Sequence, residues 1–402
     1  MYSLLRQKAS VLEPDLAQLA TKLVAISSPS FSESKIADSV ISALDALSYD
    51  RVFKDNAGNV VGCIFGRNYN PTMLLVSHLD TYSGSFKTQC DLEDGKLFGA
   101  GASDCKGGLA AQMYAGRLLK ECFPMYGNLI LVSTVAQQSG CNAGIRQFLK
   151  ETLPSIGLKP SFALLGEPTD LGLYYGHDGW MCIELTLAAE EFTGLEACAR
   201  ELNQFLSKSS SSSSEELLEE VSVSDPQYSS DKQCSRCVID IMQRLRDKNE
   251  PVFLLKRYRE TARLICKQFG VRLISSGVKR RNITEESGFT LRARQVSVPW
   301  MTDPLNSFFE EARLALRAAD CKIKGGQWHL KSLGMGTAGS VLVNEYSIPT
   351  IGYGPGNMSC SPEESVEIKD LNEAFFGTAV IAHRLLGIPS SEINEQNHNL
   401  QL

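Results

Sequence analysis

The chain has 402 residues, of which 43% are apolar and 21% are charged, and its formal net charge is −6. At about 150 residues per domain, this length predicts two or three domains with room for a large buried core. The composition excludes disordered, collagenous and coiled-coil proteins. The acidic balance, without a long basic run, argues against a nucleic-acid partner.

The cysteine content bears on the cellular compartment. The chain has twelve cysteines but only five histidines. The cysteines are irregularly spaced, which does not fit a small disulfide scaffold. The N-terminal sequence is amphipathic and interrupted by charges, so we expect neither a secretory leader nor a membrane span. We therefore predict a cytoplasmic protein with reduced thiols.

Helix and strand patterns alternate in the first part of the chain. Apolar residues recur at helical spacing over residues 36–47, and residues 107–122 are also predicted to be helical. Short, nearly continuous apolar runs of strand length lie between these helices, at 60–65 and 73–76, and after them, at 129–135 and 162–165. Strands of this kind, alternating with helices, predict an α/β domain with a largely buried sheet.

The pattern changes after residue 180. Two strands and a helix recur within about 115 residues, which is typical of a small α+β domain. We predict that residues 181–297 form this domain, inserted into an α/β domain made of residues 1–180 and 298–402. The Ser- and Glu-rich stretch at 207–233 is predicted to be a mobile loop.

The segment after residue 298 returns to the first pattern. It has a predicted helix at 305–319, a strand at 348–353 and a last helix at 371–386, whose His383 is expected at the surface. His177 is expected to be structural, in a turn between the two domains.

Polar residues cluster at the predicted carboxyl ends of strands, where open α/β sheets place their sites. His78 and Asp80 follow one strand, Glu167 follows another, and Asp104 lies in a glycine-rich segment. A histidine and carboxylates from separate strand ends suit a divalent metal, and zinc is favoured by mixed nitrogen and oxygen ligands. Asp80, two residues beyond His78, stands where a carboxylate could orient the imidazole ring.

Several motifs together carry a family resemblance. They are SHLDT at 77–81, GASDCKGG at 101–108, GEPT at 166–169, GHDGW at 176–180 and GPG at 354–356. With them, nearly the whole chain resembles the zinc-dependent aminoacylases and exopeptidases that include acetylornithine deacetylase, succinyl-diaminopimelate desuccinylase and glutamate carboxypeptidase.

The resemblance implies a fold and a kind of ligand. It implies a phosphorylase/hydrolase-like α/β catalytic domain that carries two metals, with an inserted ferredoxin-like α+β lid that commonly dimerises. The expected partners are a small N-acyl amino acid or peptide-like ligand and a second copy of the chain through the lid, with no nucleic acid and no membrane.

The resemblance also implies a role for four residues that are present here. His78 would bind the first metal, Asp104 would bridge both metals, and Glu167 would complete the first site. Asp80 would support His78. One zinc is therefore expected at this first site.

Three residues depart from the family pattern at the second metal. Where the family has two adjacent glutamates, a general base and a metal ligand, this chain has Gln137 and Gln138. Where the family supplies a histidine as the other ligand, Cys360 stands. An amide cannot transfer the proton that a general base transfers, a contribution of ~10²–10⁴-fold in rate. Gln138 is a poor replacement for a carboxylate, whereas a Cys360 thiolate could maintain a weakened second site.

Three further family positions have changed around the ligand. The lid histidine that polarises the scissile carbonyl has no counterpart in residues 187–192. The lid arginine that often grips a substrate carboxylate would fall near Met242, and Ala338 and Gly339 stand where an aspartate is usual.

Three functions remain open from the sequence. The first is a zinc-dependent amide-bond enzyme with a remodelled site, in which Cys360 or Cys105 is a candidate nucleophile. The second is a non-catalytic relative that binds metal, a ligand or a protein partner. The third is an ordinary zinc deacylase or carboxypeptidase.

Overall fold

The structure is a computed structural model, and it describes residues 2–82, 91–138, 141–208, 221–230, 234–284, 288–328, 333–357 and 364–387. The helices are α1 (Tyr2–Val24), α2 (Ser34–Ala46), α3 (Gly107–Cys122), α4 (Ala143–Gln147), α5 (Leu153–Ile156), α6 (Phe192–Lys208), α7 (Glu250–Gln268), α8 (Ser307–Ala318), α9 (Gly339–Asn344) and α10 (Ile368–Leu386).

The strands fall into two main sheets and two small ones. They are β1 (Arg51–Lys54), β2 (Val60–Ile64), β3 (Thr72–His78), β4 (Asp91–Glu93), β5 (Lys96–Phe98), β6 (Asn128–Thr134), β7 (Phe162–Leu165), β8 (Gly172–His177), β9 (Gly179–Ala189), β10 (Val221–Val223), β11 (Gln227–Ser230), β12 (Ser235–Leu245), β13 (Arg272–Val278), β14 (Arg280–Thr284), β15 (Thr290–Arg294), β16 (Val296–Ser297), β17 (Trp300–Met301), β18 (Lys324–Trp328), β19 (Thr350–Gly352) and β20 (Ser365–Glu367).

The larger main sheet forms the centre of the α/β part. Its strand order is β1-β2-β6-β3-β7-β19-β8-β17, and β18 pairs with β8. Strand β3 is parallel to both of its neighbours, β6 and β7. Because parallel neighbours end at the same edge, the residues that follow these three strands meet at one place.

Strand β3 shows why this sheet is buried on both faces. All seven of its residues are buried. Met73 and Leu75 pack into the core that contains α1, α3 and α10, whereas Leu74 and Val76 pack on the opposite side with α4 and α9. Alternate side chains of a strand point to opposite faces, so an unbroken apolar run is buried only between two layers of helices.

The second main sheet has the strand order β10-β12-β9-β13, with β11 beside β12 and β16 beside β9. Strands β9 and β12 pair antiparallel along eleven residues each. Alternate residues of β9, beginning at Met181, pack under α6 and α7 in a separate core. This arrangement matches the predicted α+β insert.

Two short connections join the parts that hold these sheets. One runs from His177 at the end of β8 to Gly179 at the start of β9, and the other from Ser297 in β16 to Trp300 in β17. The domain boundaries at 180/181 and 297/298 stay a prediction.

The structure differs from the sequence analysis in two places. Part of the predicted loop at 207–233 forms β10 and β11, because these residues pair with β12, while 209–220 and 231–233 lie outside the described residues. The prediction that His383 is exposed is wrong. Its exposed fraction is 5%, because α10 packs against α1, α3 and α8 and is buried over most of its surface.

None of the helices within the described ranges is long and apolar enough to cross a membrane.

Candidate metal centre

Three adjacent strand ends build the centre. His78 is the last residue of β3, Gln137 and Gln138 follow β6 on one side, and Glu167 follows β7 on the other. All four side chains are buried. The site thus lies at the carboxyl edge of the sheet, as the sequence predicts.

Asp104 reaches this edge from an irregular turn before α3. The backbone at Asp104 (φ −120°, ψ 84°) is not helical, and the peptide bond between Asp104 and Cys105 is cis. The turn is held by Glu364, whose carboxylate accepts hydrogen bonds from the backbone N–H groups of Gly101 (2.8 Å), Ser103 (2.9 Å) and Asp104 (2.6 Å). A residue far along the chain therefore fixes where the Asp104 carboxylate lies.

The His78 ring lies between two acceptors. Its Nδ1 atom is 2.8 Å from the carbonyl oxygen of Asp80, and its Nε2 atom is 2.9 Å from Oδ1 of Asp104. Because a carbonyl oxygen only accepts, Nδ1 must carry a hydrogen. In a neutral ring, the Nε2 lone pair would then face the carboxylate, so this contact calls for a cation between the two atoms, either a proton or a metal ion.

Asp80 connects His78 to the loop after β6. Its carboxylate accepts hydrogen bonds from the backbone N–H groups of Gln137 (3.1 Å) and Gln138 (2.9 Å) and from the hydroxyl of Ser30 (2.6 Å). Asp80 thus holds His78 through its backbone carbonyl and the two glutamines through its carboxylate, so it fixes their positions relative to one another.

The side-chain amides of the two glutamines face the acidic residues. Nε2 of Gln137 donates to Oε1 of Glu167, and Nε2 of Gln138 donates to Oδ2 of Asp104, both at 2.8 Å. The opposite amide orientation would set a carbonyl oxygen against a carboxylate oxygen, which is repulsive. Oε1 of Gln137 is buried and has no hydrogen-bond partner within the described part of the chain.

Cys105 adds a thiol to the centre. His78, Cys105 and Glu167 each offer a donor atom within 4.8 Å of the others. The Cys105 thiol donates to the carbonyl of Gly166 at 3.5 Å. Burial raises the pKa of this thiol to about 12, so in the metal-free protein it is protonated at neutral pH, which argues against Cys105 as a nucleophile.

The ionisable groups of the centre shift one another's pKa values. Burial, reinforced by the nearby Asp104 charge, raises the pKa of Glu167 to about 7, although His78 and Gln137 act in the opposite direction. Burial also acts to raise the pKa of Asp104, but the charge and hydrogen bond of His78 outweigh it and lower that pKa. Burial acts to lower the pKa of His78, but the charge and hydrogen bond of Asp104 outweigh it and raise that pKa well above its ordinary value. Without a metal, the centre holds a His78–Asp104 ion pair beside a partly protonated Glu167.

The structure brings most of the predicted site residues together. His78, Asp80, Asp104, Gln137, Gln138 and Glu167 all meet at this centre. Cys360, the remaining one, lies outside the described residues. Sequence reasoning missed Ser30 and Glu364, because a serine near the N-terminus and a glutamate in a polar segment give no sign of burial until the chain is folded.

The profile of peptidase family M20/M25/M40 matches residues 74–383, which is more than three quarters of the chain. This chain belongs to peptidase family M20/M25/M40. The predicted family resemblance is therefore confirmed.

Curated relatives in the family align over part of their length. The uncharacterized protein YgeY of Escherichia coli K12 is 28% identical over 192 residues, which is 46% of this chain and 46% of that protein. Succinyl-diaminopimelate desuccinylase of Corynebacterium glutamicum is 29% identical over 168 residues, 42% of this chain and 45% of that protein. The chain thus spans about half the length of the curated relatives it matches.

Solved structures match over nearly the whole fold. The di-peptidase Dug1p of Saccharomyces cerevisiae has a TM-score of 0.67 at 12% identity, covering 97% of this chain and 99% of Dug1p. At this identity the match shows the fold alone. It supports the predicted fold class of an α/β catalytic domain with an inserted α+β domain.

The donor atoms fit one of the two metals that the M20 resemblance implies. A histidine nitrogen and two carboxylates are a plausible three-ligand set for zinc, and the His78–Asp104 contact already calls for a cation. The second metal does not fit as well. Gln138 presents amide hydrogens to Asp104, and an amide nitrogen that donates hydrogen bonds offers no lone pair to a metal.

Proposed function

We propose that this M20-family chain binds an N-acyl amino acid or a small peptide-like amide at a one-metal centre and does not perform ordinary hydrolysis. The observation that carries the proposal is the pair of glutamine amides hydrogen-bonded to Glu167 and Asp104. These amides stand where the resemblance places a general base and a metal ligand. Neither can act as a general base, and the Gln138 amide is a poor replacement for a carboxylate ligand.

One zinc would be held by His78, Asp104 and Glu167. When bound, zinc supplies a Lewis acid that polarises a ligand carbonyl. Asp80 holds the His78 ring through its backbone carbonyl. The buried, unpartnered Oε1 of Gln137 is an acceptor that would bind the N–H of a ligand amide. The residues therefore support binding and orientation of an amide more than transfer of its protons.

The partner and compartment are part of the same proposal. A second copy of the chain through the inserted domain is the partner we propose. The cytoplasm is the compartment we propose, because the cysteines in the described residues are free thiols, most of them buried.

Metal content and turnover test the proposed function directly. Protein purified without chelator is analysed for zinc and assayed against a panel of N-acetyl amino acids and dipeptides, with binding of the same compounds measured by calorimetry. We expect about one zinc per chain, zinc-dependent binding of at least one compound, and no hydrolysis. Two metals per chain with robust hydrolysis would overturn the proposal.

Two variants control for loss of structure. His78→Ala is expected to lose zinc, whereas His177→Ala, which also removes a buried imidazole, is expected to keep it. The triple variant Gln137→Glu, Gln138→Glu and Cys360→His tests the residue assignment itself, because hydrolysis should appear if these are the altered positions.

A further inference from the structure

The two-stranded ribbon formed by β14 and β15 has one strongly basic face. In its antiparallel register, Arg280 lies directly opposite Arg294, and Asn282 lies opposite Arg292. Directly opposite residues project to the same side of a ribbon. All three arginines are exposed, so they form one solvent-facing group, which we call the arginine face.

The described residues provide no acid to neutralise this face. Other arginines of the chain are paired, for example Arg146 with Glu345. No ion pair or hydrogen bond to a carboxylate is formed by Arg280, Arg292 or Arg294 within the described ranges. Residues 285–287 lie outside them.

This arrangement costs the ribbon stability. Like charges placed directly opposite each other on two strands repel, and cross-strand pairs normally contribute to holding a ribbon together. A local cost of this kind, with no compensating contact among the described residues, is typical of a surface that is neutralised by something else.

The opposite face fixes the ribbon beside the metal centre. Leu291 and Ala293 are buried, and β15 packs against α4. The segment that leads into α4 is joined to the centre, because the N–H of Asn142 donates to the carbonyl of Gln137 at 3.2 Å. The arginine face is therefore a rigidly placed surface one short helix away from the centre.

We propose that the arginine face docks an acidic, extended polypeptide segment of a partner protein. Opposite residues on the ribbon are about 5 Å apart, and successive residues on one face about 7 Å apart. Alternate side chains of an extended peptide repeat at nearly the same ~7 Å spacing. Aspartates or glutamates at alternate positions would thus meet the guanidinium groups, which bind carboxylates through two parallel hydrogen bonds.

The charge of the whole chain favours a polypeptide over a nucleic acid. A nucleic acid carries dense negative charge far beyond the patch, so the net charge of −6 would repel it. A short acidic segment confines its charge to the arginine face. The same face would then discriminate between the two kinds of polyanion.

Fluorescence anisotropy with a labelled peptide of alternating glutamate and glycine tests the docking. Wild-type protein is expected to bind it at low salt, with affinity falling as salt rises. The triple variant Arg280→Gln, Arg292→Gln and Arg294→Gln is expected to bind about tenfold more weakly, the equivalent of three exposed ion pairs. An unchanged affinity would overturn the proposal.

A matched control removes three charges from another exposed surface. Lys256, Arg263 and Lys267 are exposed along α7, where Glu260 interrupts them. Changing all three to glutamine is expected to alter peptide affinity by less than about twofold, because their charges are spread over roughly 16 Å of helix. Equal or greater weakening in this control would overturn the proposal.

Two more measurements complete the test. Circular dichroism of both triple variants at 25 °C is expected to match the wild type, because the substitutions lie on exposed side chains. A single-stranded oligonucleotide with the same number of charges is expected to bind more weakly than the peptide, and tighter binding would overturn the choice of a polypeptide. The assay needs neither zinc nor turnover, so its failure leaves the proposed function untouched.

Discussion

At the scale of single residues, the centre is distinguished by two side-chain amides, Gln137 and Gln138, at positions where the family resemblance implies carboxylates. Gln137 and Gln138 are almost the same size as glutamate, so the fold accepts them. A glutamate carboxylate only accepts hydrogen bonds, whereas these amides donate them to Glu167 and Asp104. They therefore add no further negative charge beside the two carboxylates. Two glutamates at these positions would place four acidic groups together and require more positive charge among them.

His383 is the clearest residue that sequence reasoning misplaced. Its ring packs between those of Tyr2 and Phe123, with centroids 6.2 Å and 4.5 Å away. Neither ring nitrogen has a hydrogen-bond partner in the described residues. Burial, together with the charge of Arg384, lowers the pKa of His383 to about 4. The folded protein therefore keeps this ring neutral.

This burial predicts acid sensitivity. Between pH 6.5 and about 4 the unfolded chain binds a proton at His383 that the folded chain does not bind, so stability falls as pH falls through this window. At pH 5 the loss from this residue is about 2 kcal/mol. His383→Leu should remove that share of the difference in unfolding free energy between pH 7 and pH 5, measured with urea. An unchanged pH dependence would contradict the burial of a neutral ring.

At the scale of elements, a long-range contact fixes the turn before α3 and so positions the Asp104 carboxylate. Glu364 is joined to the turn through three backbone N–H groups, and the helix behind the turn lies unusually close to β7. A Cβ atom on Gly108 would be only 1.8 Å from the carbonyl oxygen of Gly166. Close helix packing on one side and Glu364 on the other fix the position of Asp104.

Glu364→Gln tests this positioning. A neutral amide oxygen accepts these three hydrogen bonds less strongly than a carboxylate, so Asp104 should be less well placed. We expect zinc affinity, measured by calorimetry, to fall by about 10–100-fold, as is typical when a group supporting a metal ligand is lost. Glu367→Gln is the control, because the ion pairs of Glu367 are with Lys369 and Lys96 at the surface and their loss should leave zinc affinity unchanged.

At the scale of the whole molecule, the chain has cores that do not merge. The core of the inserted part, under α6 and α7, is separate from those on either side of the large sheet. A small cluster of Cys141, Trp180 and Cys182 and the packing of β15 on α4 also connect the parts. Two short connections, 177–179 and 297–300, join the parts. Parts with their own cores and few connections are expected to unfold as separate units.

Calorimetric unfolding should therefore show two transitions. Zinc at about 100 times its dissociation constant should stabilise the part that contains the candidate metal centre by about 2.7 kcal/mol and shift only one transition. In His78→Ala neither transition should shift with zinc. A single transition that moves as a whole would contradict the independence of the two parts.

Sequence patterns predicted those helices and strands that are buried along most of their length. The bounds of α3 and β7 are those expected from the sequence, because each is a continuous run buried in the main core. Strand β13 was not predicted, since it lies at the edge of its sheet and most of its residues are exposed or half-buried. It is a strand because its backbone pairs with β9, although its sequence shows no apolar alternation.

The sequence by itself determined the family and the fold class, because motifs and apolar runs are local properties of the chain. Only the tertiary structure decided that the glutamine amides face Glu167 and Asp104, and that Glu364 holds the turn that carries Asp104. Such contacts join residues far apart in the chain. Their hydrogen bonds and pKa shifts arise from burial, which exists only after the sheet, its helices and the last segment have packed together.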